Sequence, residues 1–222
     1  MKDLKIRSKK TKAAIKFTVP ETWEELSTGS FEALKGFMLQ GPLNPRQLLS
    51  GVTGIELGFW QGVSLDEAAP VLQIVQRFWD DSEKNPNFLK LPPPKEIELK
   101  GKKIKIKQKP GQYGLAQVEA MNQKFKAWAD QDLLKEGKLA ELLPYASEVI
   151  AIFVQPDFDE DIFDEEASKD LIPAIKELPA TEGIPLARFF LSMFLRLLQI
   201  GLKHTTQTKR RIPLLRRLGL IS

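Results

Sequence analysis

The sequence predicts an α+β protein, predominantly helical with two small β-hairpins, and three observations lead there. Apolar and polar residues alternate in only two short stretches, residues 4–19 and 97–106, each interrupted by a polar or glycine-containing turn. Almost everything else shows helical spacing with recognisable start signals. Between the two stretches, residues 85–94 hold four prolines in ten positions, which neither a helix nor a central strand tolerates. The chain therefore divides into residues 1–84, a hairpin followed by helices; a linker at 85–94; residues 95–202, a second hairpin followed by helices; and a basic tail at 203–222.

The first hairpin is predicted from Leu4 and Ile6 on one strand and Ile15, Phe17 and Val19 on the other, with Pro20 ending the second. Thr22 followed by Glu25 reads as a capping box that opens a short helical stretch around Trp23. Helices are expected over 31–39 and over 44–52, the latter with Asn44 as cap, Pro45 in its first turn and Gly51 and Gly54 at its end. Ser64 with Glu67 caps the next, whose Leu72, Val75, Phe78 and Trp79 share a face. Beyond the linker, Ile97 and Leu99 alternate, Gly101 sits in a lysine-rich turn, and Ile104 and Ile106 alternate again, which gives the second hairpin. Helices follow over 115–129, 133–143, 146–154, 164–178 and 185–202. The order of features repeats: Ile15-Lys16-Phe17 and Ile104-Lys105-Ile106 are each followed by a proline, an aromatic, and then Ser30-Phe31-Glu32-Ala33-Leu34 or Gln117-Val118-Glu119-Ala120-Met121. A duplicated hairpin-plus-helix unit is the reading of that order, with Phe31 and Val118 leading the two helices.

Composition excludes several chemistries. Zero Cys and a single His among 222 residues remove disulfides, thiolate nucleophiles, Cys-ligated metal sites and any centre that needs two imidazoles. No phosphate-binding or nucleophile-elbow glycine motif occurs, so the chain reads as a non-enzyme without cofactor. Net charge is only +4, yet the charges are segregated. Seven Lys or Arg stand in the first sixteen residues against Asp3, six Lys in 100–109, and six Lys or Arg in 203–217, while 157–166 holds seven carboxylates. Asp157, Asp159 and Asp161 open like a calcium loop, but Ile162 stands where a glycine is needed and Ser168 where a bidentate Glu is needed. Those acids are better placed to face a helix N-terminus, and no metal is expected. The lysines of 100–109 alternate with Ile104 and Ile106, so they are read as the solvent face of a strand. No aromatic lies among them to stack a base, which disfavours nucleic acid as their ligand.

Residues 184–202 are long enough to span a bilayer, but Arg188, Ser192, Arg196, Gln199 and Lys203 recur at helical spacing, so the segment reads as amphipathic and not as a membrane span. Its apolar face, with Phe189, Phe190, Met193, Phe194 and Leu197, is wider than one core contact needs, and part of it is expected to bind a partner. The tail adds Arg210, Arg211, Leu214, Leu215, Arg216 and Arg217, a basic and apolar mixture suited to an acidic partner. Trp23, Trp60, Trp79 and Trp128 read as core or interface anchors.

The run from Ile15 through Thr22-Trp23-Glu24-Glu25-Leu26 to Phe31-Glu32-Ala33-Leu34 resembles the opening of small tail-region proteins of phages and prophages of Bacteroidetes-type hosts. Downstream, Gln47-Leu48-Leu49-Ser50-Gly51-Val52-Thr53-Gly54-Ile55 is similar to their helix ending in an LTGI turn, and residues 92–106 to their proline-led hairpin. Ala151-Ile152-Phe153 with Pro156, Leu178-Pro179 and Phe189-Phe190-Leu191 are similar to their C-terminal half. Departures are a loose T-x-G-Q step at Ser27-Thr28-Gly29-Ser30 and at Ala116-Gln117, and the basic tail after His204. The resemblance implies a non-enzymatic tail-assembly chaperone, active in the host cytoplasm during virion morphogenesis, that binds the tape-measure or tube protein and self-associates. Alternatives are a virion structural component of the baseplate or head-tail connector, or a basic nucleic-acid-binding accessory protein.

Overall fold

The computed structural model describes residues 1–7, 14–40, 44–83, 91–130 and 139–204. The chain forms two compact units, Met1–Leu91 with Lys176–Glu182, and Pro92–Ile175 with Gly183–Ser222. Helices dominate both, and the strands among the described residues form two separate antiparallel sheets of two strands each. The α+β, mainly helical class expected from the pattern is the observed one. The return of Lys176–Glu182 to the first unit departs from the continuous segments expected from the linker.

In the first unit β1 (Lys2–Arg7) pairs with β2 (Ala14–Val19) in a register that sets Leu4 opposite Phe17 and Ile6 opposite Ile15. Alternation puts Ile6 and Val19 fully inside, and Phe17 meets Trp60 edge-on at 6.1 Å. The helix expected around Trp23 is a single turn instead. The amides of Glu25 and Leu26 both bond back to the Thr22 carbonyl, and the Glu25 carboxylate takes the Glu21 amide, one residue upstream of a capping box. Trp23 still anchors, packing on Phe31 and Phe78.

Helix α1 (Thr28–Gln40) starts three residues earlier than predicted because the Ser27 hydroxyl accepts the Ser30 amide as an N-cap. Asn44 caps α2 (Pro45–Thr53), and Gly54 ends it in the left-handed region at φ 69°. A short helix, α3 (Leu57–Trp60), was not foreseen. The Glu67 carboxylate reaches back to the Ser64 amide and hydroxyl at the start of α4 (Leu65–Glu83). The buried stripe of α4 runs Ala68, Val71, Ile74, Val75, Phe78, so Leu72 lies at its margin. Lys176–Glu182 closes this unit: Thr28 N–H donates to the Leu178 carbonyl at 2.7 Å, and Ala180 N–H to the Leu26 carbonyl at 2.7 Å. Ser27 and Pro179 thus form a one-residue β-bridge. Gly29 permits it, since a Cβ there would stand 2.9 Å from the Lys176 Cβ.

In the second unit β3 (Glu96–Leu99) and β4 (Lys102–Lys105) are joined by Lys100 and Gly101, at φ 50° and 77°. Two successive positive φ values are the signature of a type I′ hairpin turn. Ile97, Leu99, Ile104 and Ile106 are all buried. Helices α5 (Leu115–Asp130), α6 (Ala146–Asp159), α7 (Glu165–Glu177) and α8 (Ala180–His204) follow, with a 3-10 helix at Leu139–Tyr145 where the end of an α-helix was predicted. α8 starts five residues ahead of its predicted position at Pro185. Helix α6 is the centre of this core, apolar and buried over Val149–Val154 all the way round, as a fully enclosed helix must be.

Gln117 shows how sequence and packing meet here. Pro156 has no N–H, so the carbonyl of Ile152 loses its helical donor. The Gln117 side-chain amide supplies it, donating to Ile152 at 3.1 Å and to Phe153 at 3.0 Å, while its Oε1 accepts the Gly114 amide at 2.8 Å. One side chain caps α5 and repairs α6. Each unit thus holds a hairpin followed by a helix, the repeated order the sequence suggests, but Val118 does not take the part of Phe31. Phe31 is fully enclosed, whereas Val118 is half-buried and Met121 carries the contact.

Candidate partner-binding site

The apolar face of α8 is spent largely within its own unit. Phe190 and Phe194 are 0% exposed and Met193 3%. Phe190 stacks on Phe153 with ring centres 4.8 Å apart and meets Tyr113 edge-on at 5.8 Å; Phe194 packs on Phe125 at 5.6 Å. Phe190, Met193 and Phe194, expected on the partner-facing side, are thus buried within their own unit. Phe189 and Leu197 remain half-buried and retain surface to offer. Arg210, Arg211, Leu214, Leu215, Arg216 and Arg217 lie outside the described residues, as does the side chain of His204.

The lysine-rich second hairpin is not a bare cationic face. Its register sets Glu96 opposite Lys105 and Glu98 opposite Lys103, so opposite charges face each other across the strands. Lys102 pairs with Glu160 at 2.7 Å and donates to the Phe158 carbonyl; Lys107 pairs with Asp157 at 2.6 Å; Lys100 donates to the Asp170 carbonyl at 3.2 Å. Lys100 and Lys102 also sit over the Phe158 ring. Alternation sets Lys103 and Lys105 on the face away from Ile104, but Lys102 shares the Ile104 face, opposite Leu99, and spacing alone does not show that the acidic segment folds against three of the lysines. The hydrogen bond and charge of Lys102 hold the Glu160 carboxyl below its ordinary range.

Each acid of that segment has local work. Asp159 accepts from Gln155, Asp161 from the Ile162 amide, and Asp164 caps α7 by accepting the Ala167 amide at 3.0 Å. Among the described residues no group of three His, Asp or Glu is placed to hold a metal ion. Asp157 also acts on Tyr113, whose phenol is held well above its ordinary range, first by burial and then by that negative charge. The Tyr113 hydroxyl donates to the Lys107 carbonyl at 2.6 Å.

A groove of about 240 Å³ in the second unit is lined by Ala120, Ala127, Ala151, Ile152, Ser168 and Ile172, with the Lys124–Glu148 pair at its rim. On the first hairpin the picture differs. Lys5 and Lys16 stand directly opposite each other on the exposed face, Arg7 follows on the same side, and Asp3 accepts from Thr18 at 3.0 Å. None of these three cations takes part in an ion pair among the described residues. The alternation Leu4-Lys5-Ile6-Arg7 carried that signal, but the cross-strand register did not follow from spacing alone. Nor is any described helix long and apolar enough to cross a membrane. No family model, curated protein or solved structure matches the chain.

Proposed function

We propose that the protein is a non-enzymatic phage tail morphogenesis factor, an assembly chaperone that binds the tape-measure protein in the host cytoplasm. The observation that supports this reading is where the motifs of the resemblance fall. The Ser50 to Ile55 run forms the end of α2, where Gly54 takes the left-handed conformation. The proline-led hairpin motif contains the type I′ turn at Lys100 and Gly101. Pro156 is the residue that Gln117 compensates, and Leu178-Pro179 is the segment that pairs with Ser27 and Thr28. These motifs, in both units, sit at joints of the backbone. Within that reading, Phe189 and Leu197 on α8 are the residues left to contact a long amphipathic helix, alongside the basic tail.

The test is co-expression with a helical tape-measure fragment and sedimentation of the purified mixture. Phe189→Asp and Leu197→Asp should each weaken the complex at least about tenfold while circular dichroism stays unchanged. Absence of any complex with the wild-type chain rejects the chaperone reading. Recovery of the protein in purified particles, at fixed stoichiometry, would assign it to the virion instead.

A further inference from the structure

We propose that the first hairpin, β1 with β2, is a docking strip for an extended acidic segment of a partner protein, which adds as a third strand along β1 and sets alternate carboxylates over Lys5 and Arg7. The proposal is independent of the tail reading. Like charges directly opposed on one sheet face are unfavourable, because their Cβ atoms lie only about 4.5–5.5 Å apart. Lys5 and Lys16 hold that arrangement with no carboxylate partner among the described residues, and a recess of about 350 Å³ on the paired strands is lined by both of them with Asp3 and Thr18. The second hairpin, whose strands carry two Glu beside three Lys, meets its own cations internally, with Glu96 opposite Lys105 and Glu98 opposite Lys103. The difference marks the first hairpin as the one whose neutralising charge comes from outside.

Two features choose a peptide over a nucleic acid. The exposed face carries Asp3, Lys5, Arg7, Ala14, Lys16 and Thr18, with no aromatic on which a base could stack. Asp3 stands on the same side as Lys5 and would repel a uniform polyanion, whereas a peptide can set a neutral residue there. Strand geometry supplies the register: residues two apart in a β-strand lie about 6.6–6.8 Å apart, so an added strand with carboxylates at alternate positions matches Lys5 and Arg7 in step. No backbone hydrogen bond joins β1 to anything but β2 among the described residues, which leaves an edge for such pairing. β1 is the preferred edge because it carries two cations on this face where β2 carries Lys16 alone.

The experiment titrates the full chain with three fluorescent probes: a Thr-rich synthetic peptide with Glu at two alternate positions only, a peptide of the same composition with the two Glu contiguous, and a DNA duplex. The alternating peptide should bind at least about tenfold more tightly than either competitor, and N-methylation of its backbone should remove that advantage. Lys5→Glu and Lys16→Glu should each weaken it about tenfold or more. Both variants should melt no lower than the wild type, since each leaves a Glu facing a Lys. Equal affinity for the two peptides, tighter binding of the duplex, or indifference to the charge reversals would overturn the proposal.

Discussion

Gln117 serves two helices, so its replacement should cost more than one surface hydrogen bond. Gln117→Leu leaves the buried Ile152 carbonyl without a donor, a loss of about 1–3 kcal/mol. Pro156→Ala restores an amide at the position the helix lacks, so Gln117→Leu should cost clearly less in that background. Urea denaturation of the four proteins in the cycle measures the coupling, and additivity would refute the repair role. Tyr113 gives a pH-dependent counterpart. Its phenol titrates higher in the folded chain than the unfolded value of 10.0, so the stability it contributes is intact below pH 10 and is lost as pH rises through the folded value. Alkaline unfolding should therefore be gentler in Tyr113→Phe, at a cost near neutrality of about 0.5–1.5 kcal/mol for the lost bond to Lys107. Neither role was legible in the sequence. A glutamine three residues after a glycine gives no hint that its partner is a helix thirty-five residues on.

Among elements, the hairpins and most helix starts were legible because their causes are local. Period-two alternation, Asn44 before Pro45, Ser64 before Glu67 and Gly101 in its turn all act within a few residues. What failed was set by distant partners. The Thr22–Glu25 turn does not propagate into a helix, and α8 begins early where Ala180 bonds the Leu26 carbonyl. The breadth of the α8 face was read as surplus because one helix face usually meets one neighbour. In the fold it meets rings from Tyr113, Phe125 and Phe153, which take up most of its width and leave Phe189 and Leu197 at the margin. Phe190→Ala should accordingly destabilise the chain by about 3–5 kcal/mol, read as a lowered denaturation midpoint. A shift under about 1 kcal/mol would mean that the site collapses and that the stack with Phe153 contributes little.

At the scale of the whole molecule, the discontinuous first unit makes a prediction that continuous domains would not. Residues 1–91 expressed alone lack the Leu178 carbonyl that accepts from Thr28 and the Ala180 amide that donates to Leu26. A synthetic peptide covering residues 174–184 should raise the melting temperature of that fragment in a concentration-dependent way, by mass action. Gly29→Leu should abolish the effect, because its side chain meets Lys176; a peptide without influence would show that the bridge is incidental. Composition points to a linker over residues 85–94, and the units divide within it at Leu91, whereas a seven-residue return is invisible to any one-dimensional reading. The charge arrangement of the two hairpins extends to ionic strength. Salt screens the Lys5–Lys16 repulsion and so favours the first hairpin, while it screens the Glu96–Lys105 and Glu98–Lys103 attractions and so disfavours the second. Added salt should therefore slow amide exchange in β1 and β2 and quicken it in β3 and β4, so that one solvent variable drives two parts of a single chain in opposite directions.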